Sequence, residues 1–264
     1  MIDEKEIVFV TNSLYTKWMT YQSDIIKKLF PDSDHIVING STVEFRSNWP
    51  NSWFYWIDEV KKSDKKYYIH IDEDFFITSK DELLKAVNKF EDNSIDLMGC
   101  SDGYHHFRGA NPVAINTFFM IGRISDIKKL DNDRLRNAKY SLTSFDGSSY
   151  SWQNSLGIKF KESYKSDFNY PFEQQGGSNF INDHEPYYAF LWVMKDMGCK
   201  FDYLYPHFDE RFKSTNPRID SNSEDIGIHM WFTRSWYEVF DVHGLPNYER
   251  YNRVEKQILT NESN

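Results

Sequence analysis

Short apolar runs recur along the first part of the chain, and polar or amphipathic stretches separate them. Four runs are apolar almost without interruption, which is typical of strands that other elements cover on both faces. The predicted strands are Ile7 to Val10, His35 to Ile38, Tyr67 to Ile71 and Ile95 to Cys100. Thr11, Asn12 and Ser13 follow the first run and are predicted to form a polar loop.

The stretches between these runs show helical periodicity. A helix after Ser13 is predicted to end near Phe30. Ser52 is the expected N-cap of a second helix, and Ser79 with Glu82 forms a capping-box pattern at the start of a third. These two helices carry apolar side chains on one face, namely Trp53, Trp56, Ile57 and Val60, and Leu83, Leu84, Val87 and Phe90. The alternation of strand and helix predicts an α/β fold with a mostly parallel, doubly wound sheet and helices on both faces.

The pattern is weaker in the second half of the chain. Residues 141–178 are rich in Ser, Gly, Asn and Tyr and are predicted to form an irregular insertion over the cleft. A helix is predicted to begin at Pro186 and to end at Gly198. Further strands are predicted at Thr117 to Ile121, Phe201 to Tyr205 and Ile226 to Phe232. The residues after Pro246 are predicted to form a polar, peripheral tail.

Composition narrows the classes of partner. The net charge of -9 argues against a surface for nucleic acid or for an anionic membrane, because both require a basic stripe. Cys100 and Cys199 lie far apart, lack metal-ligand spacing and are predicted to be buried free thiols in a reducing compartment. No apolar run approaches the length of a bilayer span, and residues 1–6 do not resemble a signal peptide. We therefore expect a cytoplasmic protein without a transmembrane segment.

Three consecutive carboxylates, Asp72, Glu73 and Asp74, follow the third predicted strand. Buried like charges repel one another, so the triplet favours a bound cation, and Mg²⁺ or Mn²⁺ prefers such oxygen ligands. Alternation along an extended chain directs Asp72 and Asp74 to one side and Glu73 to the other. Ligands gather at the carboxyl ends of strands in doubly wound sheets, which is where the triplet lies. The alternative is an acidic turn whose carboxylates are solvated.

Four segments resemble, in order, the motifs of GT-A glycosyltransferases. The strand with its acidic triplet is similar to the DxD element of that family, and the segments that follow are similar to its acceptor-side strand, its acidic base motif and its late metal-binding histidine. These four segments are Tyr67 to Phe76, Asn116 to Gly122, Asn182 to Glu185 and Gly227 to Trp231.

The resemblance implies one GT-A, Rossmann-like domain over residues 1–264. Residues 1–110 would form the nucleotide-sugar-binding half, residues 111–245 the acceptor-binding half and residues 246–264 the tail. The implied reaction moves a hexose-type sugar from a nucleotide-diphosphate sugar, with UDP- or GDP-sugars favoured, to a hydroxyl of a glycan or polysaccharide acceptor.

The resemblance also implies roles for the metal ligands. Asp74 would bind the metal directly, and Asp72 would contact the metal or the ribose of the donor. His229 would be a third protein ligand, and an imidazole shifts the preference from Mg²⁺ towards Mn²⁺. The alternative for His229 is a structural histidine beside Trp231.

Asp183 and Glu185 are the candidate catalytic bases. Both precede or flank the predicted start of a helix, whose dipole keeps a carboxylate ionised. A base in this position would deprotonate the acceptor hydroxyl in an inverting reaction, and a retaining mechanism is the alternative if neither residue is a base. Glu185 directly precedes Pro186 and is the better helix cap, so Asp183 is favoured as the base.

Other residues are candidates for donor and acceptor binding. Thr11, Asn12 and Ser13 would hydrogen-bond the base or ribose, with an ordinary helix cap as the alternative. Arg46 would contact a phosphate, and Glu73 belongs to the same donor-side set. The acceptor candidates are Arg108, Asn116 and Trp231. Surface salt bridges are the alternative for the two arginines.

Rival functions use some of the same residues. His70, Asp72 and Asp74 read as H-x-D-x-D, a ligand pattern for a binuclear metal hydrolase, for which only Asp183 and His184 offer further ligands. A haloacid-dehalogenase-type phosphatase is disfavoured by the phenylalanine that follows the pattern. The aromatic content of 17% allows a non-catalytic carbohydrate-binding protein, and an inactive GT-A relative is a further alternative.

Overall fold

The structure is a computed structural model of the chain. It describes residues 2–13, 16–39, 51–102, 111–131, 140–145, 150–154, 161, 163–164, 187–210, 214–230, 252 and 256.

The described part contains the predicted helices and strands in the predicted order, together with several elements that were not predicted. The helices are α1 (Thr16–Leu29), α2 (Asn51–Lys62), α3 (Lys80–Asp92), α4 (Ile124–Lys128) and α5 (Tyr188–Asp196). The first strands are β1 (Ile7–Ser13), β2 (Asp34–Asn39), β3 (Tyr67–Asp72), β4 (Phe75–Ile77), β5 (Leu97–Ser101) and β6 (Ile115–Arg123). The later strands are β7 (Tyr140–Phe145), β8 (Tyr150–Asn154), β9 (Phe201–Tyr203), β10 (Tyr205–Asp209), β11 (Ser214–Arg218) and β12 (Gly227–His229).

A six-stranded sheet with the order β2-β1-β3-β6-β5-β9 forms the centre of the molecule. β1 runs parallel to β2 and β3, and β5 runs parallel to β9. β6 is antiparallel to both β3 and β5. The predicted α/β fold with a mostly parallel sheet is therefore confirmed. The antiparallel β6 was not predicted, and it follows from the direct pairing of two consecutive strands, which requires no crossover helix.

Helices cover both faces of this sheet. Alternate strand residues belong to different cores: Val8 and Tyr68 pack with residues of α2, α4 and α5, whereas Phe9 and Ile69 pack with residues of α1 and α3. This arrangement explains the continuous apolar runs, because each strand is buried on both sides. The sheet is doubly wound, as predicted.

The strand order reverses direction at β1. The chain passes through α1 to β2 on one side of β1 and then through α2 to β3 on the other side. The carboxyl ends of β1 and β3 therefore flank a topological switch point, which is the usual ligand crevice of doubly wound sheets.

A second, antiparallel sheet adjoins the carboxyl end of β3. Its order is β10-β11-β12-β4, and β4 follows β3 after the turn formed by Glu73 and Asp74. β12 lies within the predicted strand Ile226 to Phe232, but β4, β10 and β11 were not predicted. Their short lengths and mixed polar content produce no clear periodicity in the sequence.

Some local predictions are confirmed. The N–H of Glu82 donates to the Ser79 hydroxyl at 3.2 Å, so Ser79 is the N-cap of α3. Gly198 has φ of +82°, and the N–H of Cys199 donates to the carbonyl of Met194 at 3.0 Å. These features form a Schellman motif at the end of α5, as the glycine indicated. Cys100 and Cys199 are buried free thiols, as expected.

Three local predictions are wrong. Thr11, Asn12 and Ser13 are not a loop but the last residues of β1, because their backbones pair with β2. Ser52 is not an N-cap, because α2 already begins at Asn51. The region 141–178 is not wholly irregular, because β7 and β8 pair there as an antiparallel hairpin.

None of the helices in the described ranges is both long enough and apolar enough to span a bilayer.

Candidate metal site

The acidic triplet lies at the switch point between β1 and β3. Asp72 is the last residue of β3 and pairs in register with Asn12 on β1. Glu73 and Asp74 form the turn before β4, and only 4% and 7% of their surfaces are exposed. Two buried carboxylates in one turn require compensation by hydrogen bonds or by positive charge.

Asp72 and Asp74 converge with His229, whereas Glu73 has a different partner. One ligand atom from each of Asp72, Asp74 and His229 lies within 4.8 Å of the other two. Nε2 of His229 is 3.3 Å from Oδ1 of Asp74. Glu73 instead accepts a hydrogen bond of 2.9 Å from the Ser13 hydroxyl. The separation of Glu73 from the two aspartates agrees with the alternation expected from the sequence.

The pairing of β12 with β4 brings His229 to the acidic turn. His229 lies opposite Phe75 in this pair, and the N–H of Met230 donates to the carbonyl of Asp74 at 3.0 Å. The His229 ring also stacks on Phe118 of β6, with centroids 4.3 Å apart and an interplanar angle of 8°. Both contacts fix the imidazole beside the carboxylate of Asp74.

Gly227 permits the close approach of these two strands. A Cβ atom at this position would lie 2.4 Å from the Phe75 ring and 2.6 Å from the carbonyl oxygen of Phe76. Real Cβ atoms do not approach other atoms so closely, and therefore any other residue would displace β12 from β4. The absent side chain is thus a condition for the position of His229.

The three side chains fit a divalent cation that accepts both oxygen and nitrogen ligands. Two ligands on opposite sides of one ion, each at about 2.2 Å, are about 4.4 Å apart, so a group within 4.8 Å needs only a small movement to share an ion. Two carboxylates with one imidazole suit Mn²⁺ better than Mg²⁺, which prefers an all-oxygen shell.

His70 lies near the aspartates but not in this group. Its Nε2 is 3.5 Å from Oδ1 of Asp72, and its ring packs edge-on against Trp56 with centroids 5.5 Å apart. Among the residues that the structure describes, the grouped potential metal ligands are Asp72, Asp74 and His229. Asp183 and His184, the further ligands that the binuclear H-x-D-x-D arrangement would need, lie outside the described residues.

The predicted donor-side residues of β1 differ in their surroundings. Thr11 is fully buried, and its hydroxyl donates to Oε1 of Gln22 at 2.7 Å and lies 3.0 Å from Nε2 of His35. The Thr11 hydroxyl thus connects β1 with α1 and β2, whereas its predicted contact with a ligand stays a prediction. Oδ1 of Asn12 is also buried, and within the described part of the chain it has no hydrogen-bond partner. An orphaned acceptor beside Asp72 is the kind of group that a ligand donor would satisfy.

Asn116 contacts the protein rather than open space. It is 3% exposed, its amide donates to Oδ1 of Asp102, and its Oδ1 accepts from the N–H of Phe118 at 3.0 Å. The hydroxyls of Tyr187 and Tyr188 donate to Oδ2 of Asp102 at 2.5 and 2.6 Å. Asn116 thus belongs to a buried network that connects the start of α5 with the end of β5, and its predicted acceptor role stays a prediction.

Asp102 was missed at the sequence level, although its position resembles that of Asp72. Both aspartates come directly at or after the carboxyl end of a buried strand of the central sheet. The remaining predicted site residues lie outside the described residues. They are Arg46, Arg108, Asp183, Glu185 and Trp231.

Burial shifts the pKa of several groups near the sheet. Desolvation lowers the pKa of His35 to about 4, so its imidazole is neutral at physiological pH. Desolvation raises the pKa of the Cys199 thiol to about 11 and that of the Cys100 thiol further still. Both cysteines are therefore inert thiols rather than thiolate ligands or nucleophiles.

Comparisons with known proteins give limited information. No family model matches the chain, and a comparison with curated proteins finds no match. One similar solved structure is the mannosyltransferase PcManGT from Pyrobaculum calidifontis in complex with GDP-Man and Mn²⁺, at 10% identity and a TM-score of 0.37. The alignment covers 48% of each of the two chains, so this chain spans about half the length of that protein.

Another similar structure is a glycosyltransferase involved in the glycosylation of the major capsid of PBCV-1. It has 11% identity and a TM-score of 0.40, and the alignment covers 67% of this chain and 81% of that one. Both TM-scores lie below 0.5, a level at which neither a common fold nor a common function follows.

Proposed function

We propose that this protein is a metal-dependent glycosyltransferase of the GT-A type. The observation that carries the proposal is the convergence of Asp72, Asp74 and His229 at the switch point of the sheet. The sequence motifs that resemble GT-A enzymes include these same three residues. The proposal covers one GT-A domain over residues 1–264, and it keeps the prediction of a cytoplasmic enzyme.

Asp72, Asp74 and His229 would hold Mn²⁺, or Mg²⁺, in this proposal. The bound cation would supply Lewis-acid and electrostatic stabilisation of the departing nucleoside diphosphate. Asp72 lies at the end of β3 in the central sheet and His229 lies on β12 in the second sheet. Asp74 lies in the turn that connects β3 with β4. Glu73 stays out of the ligand group through its hydrogen bond with Ser13.

The donor would lie over the carboxyl ends of β1 and β3. Asn12 is the strongest candidate for a hydrogen bond to the base or ribose, because its buried Oδ1 lacks a partner among the described residues. Ser13 and Glu73 complete the donor side through their shared hydrogen bond. We propose a nucleotide-diphosphate hexose as the donor, with UDP- and GDP-sugars as the first candidates. Thr11 is not among the proposed donor contacts, because its hydroxyl already contacts Gln22 and His35.

The acceptor side of the proposal depends on residues outside the described ranges. Asp183, or Glu185, would act as the base that deprotonates a glycan or polysaccharide hydroxyl in an inverting transfer. Arg108 and Trp231 would contact the acceptor, and Arg46 would contact a phosphate. Asn116 is omitted, because its amide group is engaged with Asp102 and with the backbone of Phe118.

Calorimetric titration of nucleotide sugars tests the proposal. The panel contains UDP-, GDP-, CMP- and dTDP-sugars, each titrated with Mn²⁺ and with EDTA. We expect one nucleotide class to bind, and we expect EDTA to weaken that binding by at least about tenfold, because the diphosphate and the protein share the cation. Absence of binding by every member of the panel, with and without metal, would reject the proposal.

A further inference from the structure

The side chain of Gln22 on α1 contacts the backbone on both sides of the acidic turn. Its Nε2 donates to the carbonyl oxygen of Asp72 at 2.6 Å and to that of Phe75 at 2.8 Å. Gln22 is 1% exposed. Since a primary amide carries two N–H donors, one buried group can satisfy both carbonyl oxygens and clamp the turn between them.

The orientation of the Gln22 amide is fixed by the two carbonyl oxygens of the turn, which need donors, and Thr11 satisfies the remaining oxygen. The Thr11 hydroxyl donates to Oε1 of Gln22 at 2.7 Å. A flipped amide would direct Oε1 at the carbonyl oxygens of Asp72 and Phe75, and three acceptors would then face one another. The hydrogen-bond pattern therefore permits a single orientation, in which the amide nitrogen donates to both carbonyl oxygens of the turn.

His35 holds the Thr11 hydroxyl, and Ser23 in turn contacts His35. Its single proton is used on Gln22, so Nε2 of His35, at 3.0 Å, must be the donor to the Thr11 oxygen. The imidazole is neutral because burial lowers its pKa to about 4, and Nδ1 is then an acceptor for the Ser23 hydroxyl at 3.3 Å. Donors and acceptors are thus matched from Ser23 to the acidic turn, a series that we call the Gln22 relay.

We propose that Gln22 is a positioning residue for the metal site, an inference that rests on the proposed function. The amide of Gln22 fixes the backbone from Asp72 to Phe75, and this segment carries two of the three proposed ligands. Without the clamp, the carbonyls of the turn would lose their buried donors and the two carboxylates would separate under their mutual repulsion. The rest of the Gln22 relay satisfies the oxygen of this amide and holds the group in place.

The first test compares Mn²⁺ affinity in two variants of α1. Gln22→Met keeps the length of the side chain and removes both donors, whereas Ile26→Val trims a neighbouring core residue that is 2% exposed and has no hydrogen-bonding side chain. Both variants are expected to lower the melting temperature, because each changes a buried side chain. Only Gln22→Met is expected to weaken Mn²⁺ binding, by about tenfold or more, measured by calorimetry or electron paramagnetic resonance well below the melting temperature.

A second pair of variants tests the relay without changing Gln22. Thr11→Ser keeps the hydroxyl that donates to Oε1 of the amide, and Thr11→Val removes it at nearly constant shape. We expect Thr11→Ser to bind Mn²⁺ as the wild type does and Thr11→Val to bind it several-fold more weakly. Equal affinities in these two variants would contradict the relay even if Gln22→Met did not fold.

Hydrogen exchange separates failure of this inference from failure of the proposed function. In the metal-free protein, Gln22→Met should exchange faster than the wild type in the peptide that covers β3, the turn and β4, and Ile26→Val should not. Wild-type protein that binds no Mn²⁺ but shows this difference would reject the metal site and retain the clamp. Wild-type protein that binds Mn²⁺ as well as Gln22→Met does would reject the clamp and retain the metal site.

Discussion

Asp74 and His229 are far apart in the chain, yet their side chains lie 3.3 Å apart. Each residue has a second, independent anchor, since the backbone of Asp74 accepts from Met230 and the His229 ring stacks on Phe118. The Asp74 carboxylate and the His229 imidazole can bind a cation if each exchanges its contact with the other for a bond to the metal. The chemistry of the candidate site is therefore decided by a few side chains with well-defined contacts.

His35 provides a prediction at the residue scale. Its pKa is about 4 in the folded protein, against 6.5 for an ordinary histidine, because burial disfavours the charged imidazolium. The unfolded chain therefore binds more protons between these two pH values, and stability falls as the pH falls from 6.5 to 4. Relative to a His35→Gln variant, the wild type should lose about 3 kcal/mol of unfolding free energy between pH 7 and pH 4.

Urea unfolding of both proteins at several pH values measures this difference. The variant controls for the carboxylates that titrate in the same range, because these are identical in the two proteins. Parallel stability curves for the wild type and His35→Gln would show that folding does not lower the pKa of His35.

Some functional residues could be recognised from the sequence, and others only from the structure. The acidic triplet was recognised because three carboxylates after an apolar strand are unusual, and alternation along an extended chain predicted that Glu73 is directed away from Asp72 and Asp74. Gln22 and Thr11 carry no such pattern. A glutamine on a helix is ordinary in sequence, and only the packing of α1 against the turn reveals its two carbonyl partners.

At the scale of elements, the short strands β4 and β12 matter most for the candidate site. Each strand contains three residues, and the pairing of the two strands brings His229 opposite Phe75. So short a pair cannot absorb a steric conflict by bending, because every residue of β12 is buried. The position of His229 therefore depends on Gly227, the residue of β12 that has no side chain.

Gly227→Ala is the prediction for this pair of strands. The new methyl group would collide with the Phe75 ring and with the carbonyl of Phe76, so β12 must move away from β4. We expect a loss of about 1–3 kcal/mol of stability and clearly weaker Mn²⁺ binding, because His229 moves with its strand. Chemical unfolding and metal titration measure the two effects.

Gly198→Ala is the matched control. Its Cβ would meet nothing within 4 Å, but its φ of +82° makes any side chain costly by about 1–2 kcal/mol. The control should therefore lose stability at the end of α5 while it binds Mn²⁺ normally. If Gly227→Ala and Gly198→Ala bind Mn²⁺ equally well, the pairing of β4 and β12 does not position the metal ligands.

At the scale of the whole molecule, the proposed ligands connect two sheets. Asp72 ends a strand of the central sheet, and His229 belongs to the smaller antiparallel sheet. A cation bound by both sides would cross-link the two sheets in the folded state, and such a link does not exist in the unfolded chain. Metal binding is therefore expected to stabilise the molecule as a whole.

Thermal unfolding with and without Mn²⁺ tests this expectation. At a concentration about 100 times the dissociation constant, Mn²⁺ should add about 2.7 kcal/mol of stability. For a chain of this size that corresponds to an increase of about 5–10 °C in melting temperature. EDTA should abolish the increase, and Mg²⁺ should produce a smaller one, because it binds imidazole poorly.

Asp74→Asn separates specific binding from general effects of salt. The variant loses a ligand and also loses the repulsion between carboxylates, so it should fold without the metal and show no increase with Mn²⁺. The matched control is Asp64→Asn, which changes an exposed aspartate in a loop and should respond to Mn²⁺ as the wild type does. An equal response from all three proteins would mean that Mn²⁺ binds elsewhere.

The sequence by itself determined the class of fold and the identity of the acidic turn. Continuous apolar strands with amphipathic helices between them permit few arrangements other than a sheet covered on both faces, because every strand residue must be buried. The tertiary structure decided the antiparallel direction of β6, the second sheet and the Gln22 relay. These features depend on contacts between residues that are distant in the chain, and the period of a sequence pattern carries no information about which distant elements will meet.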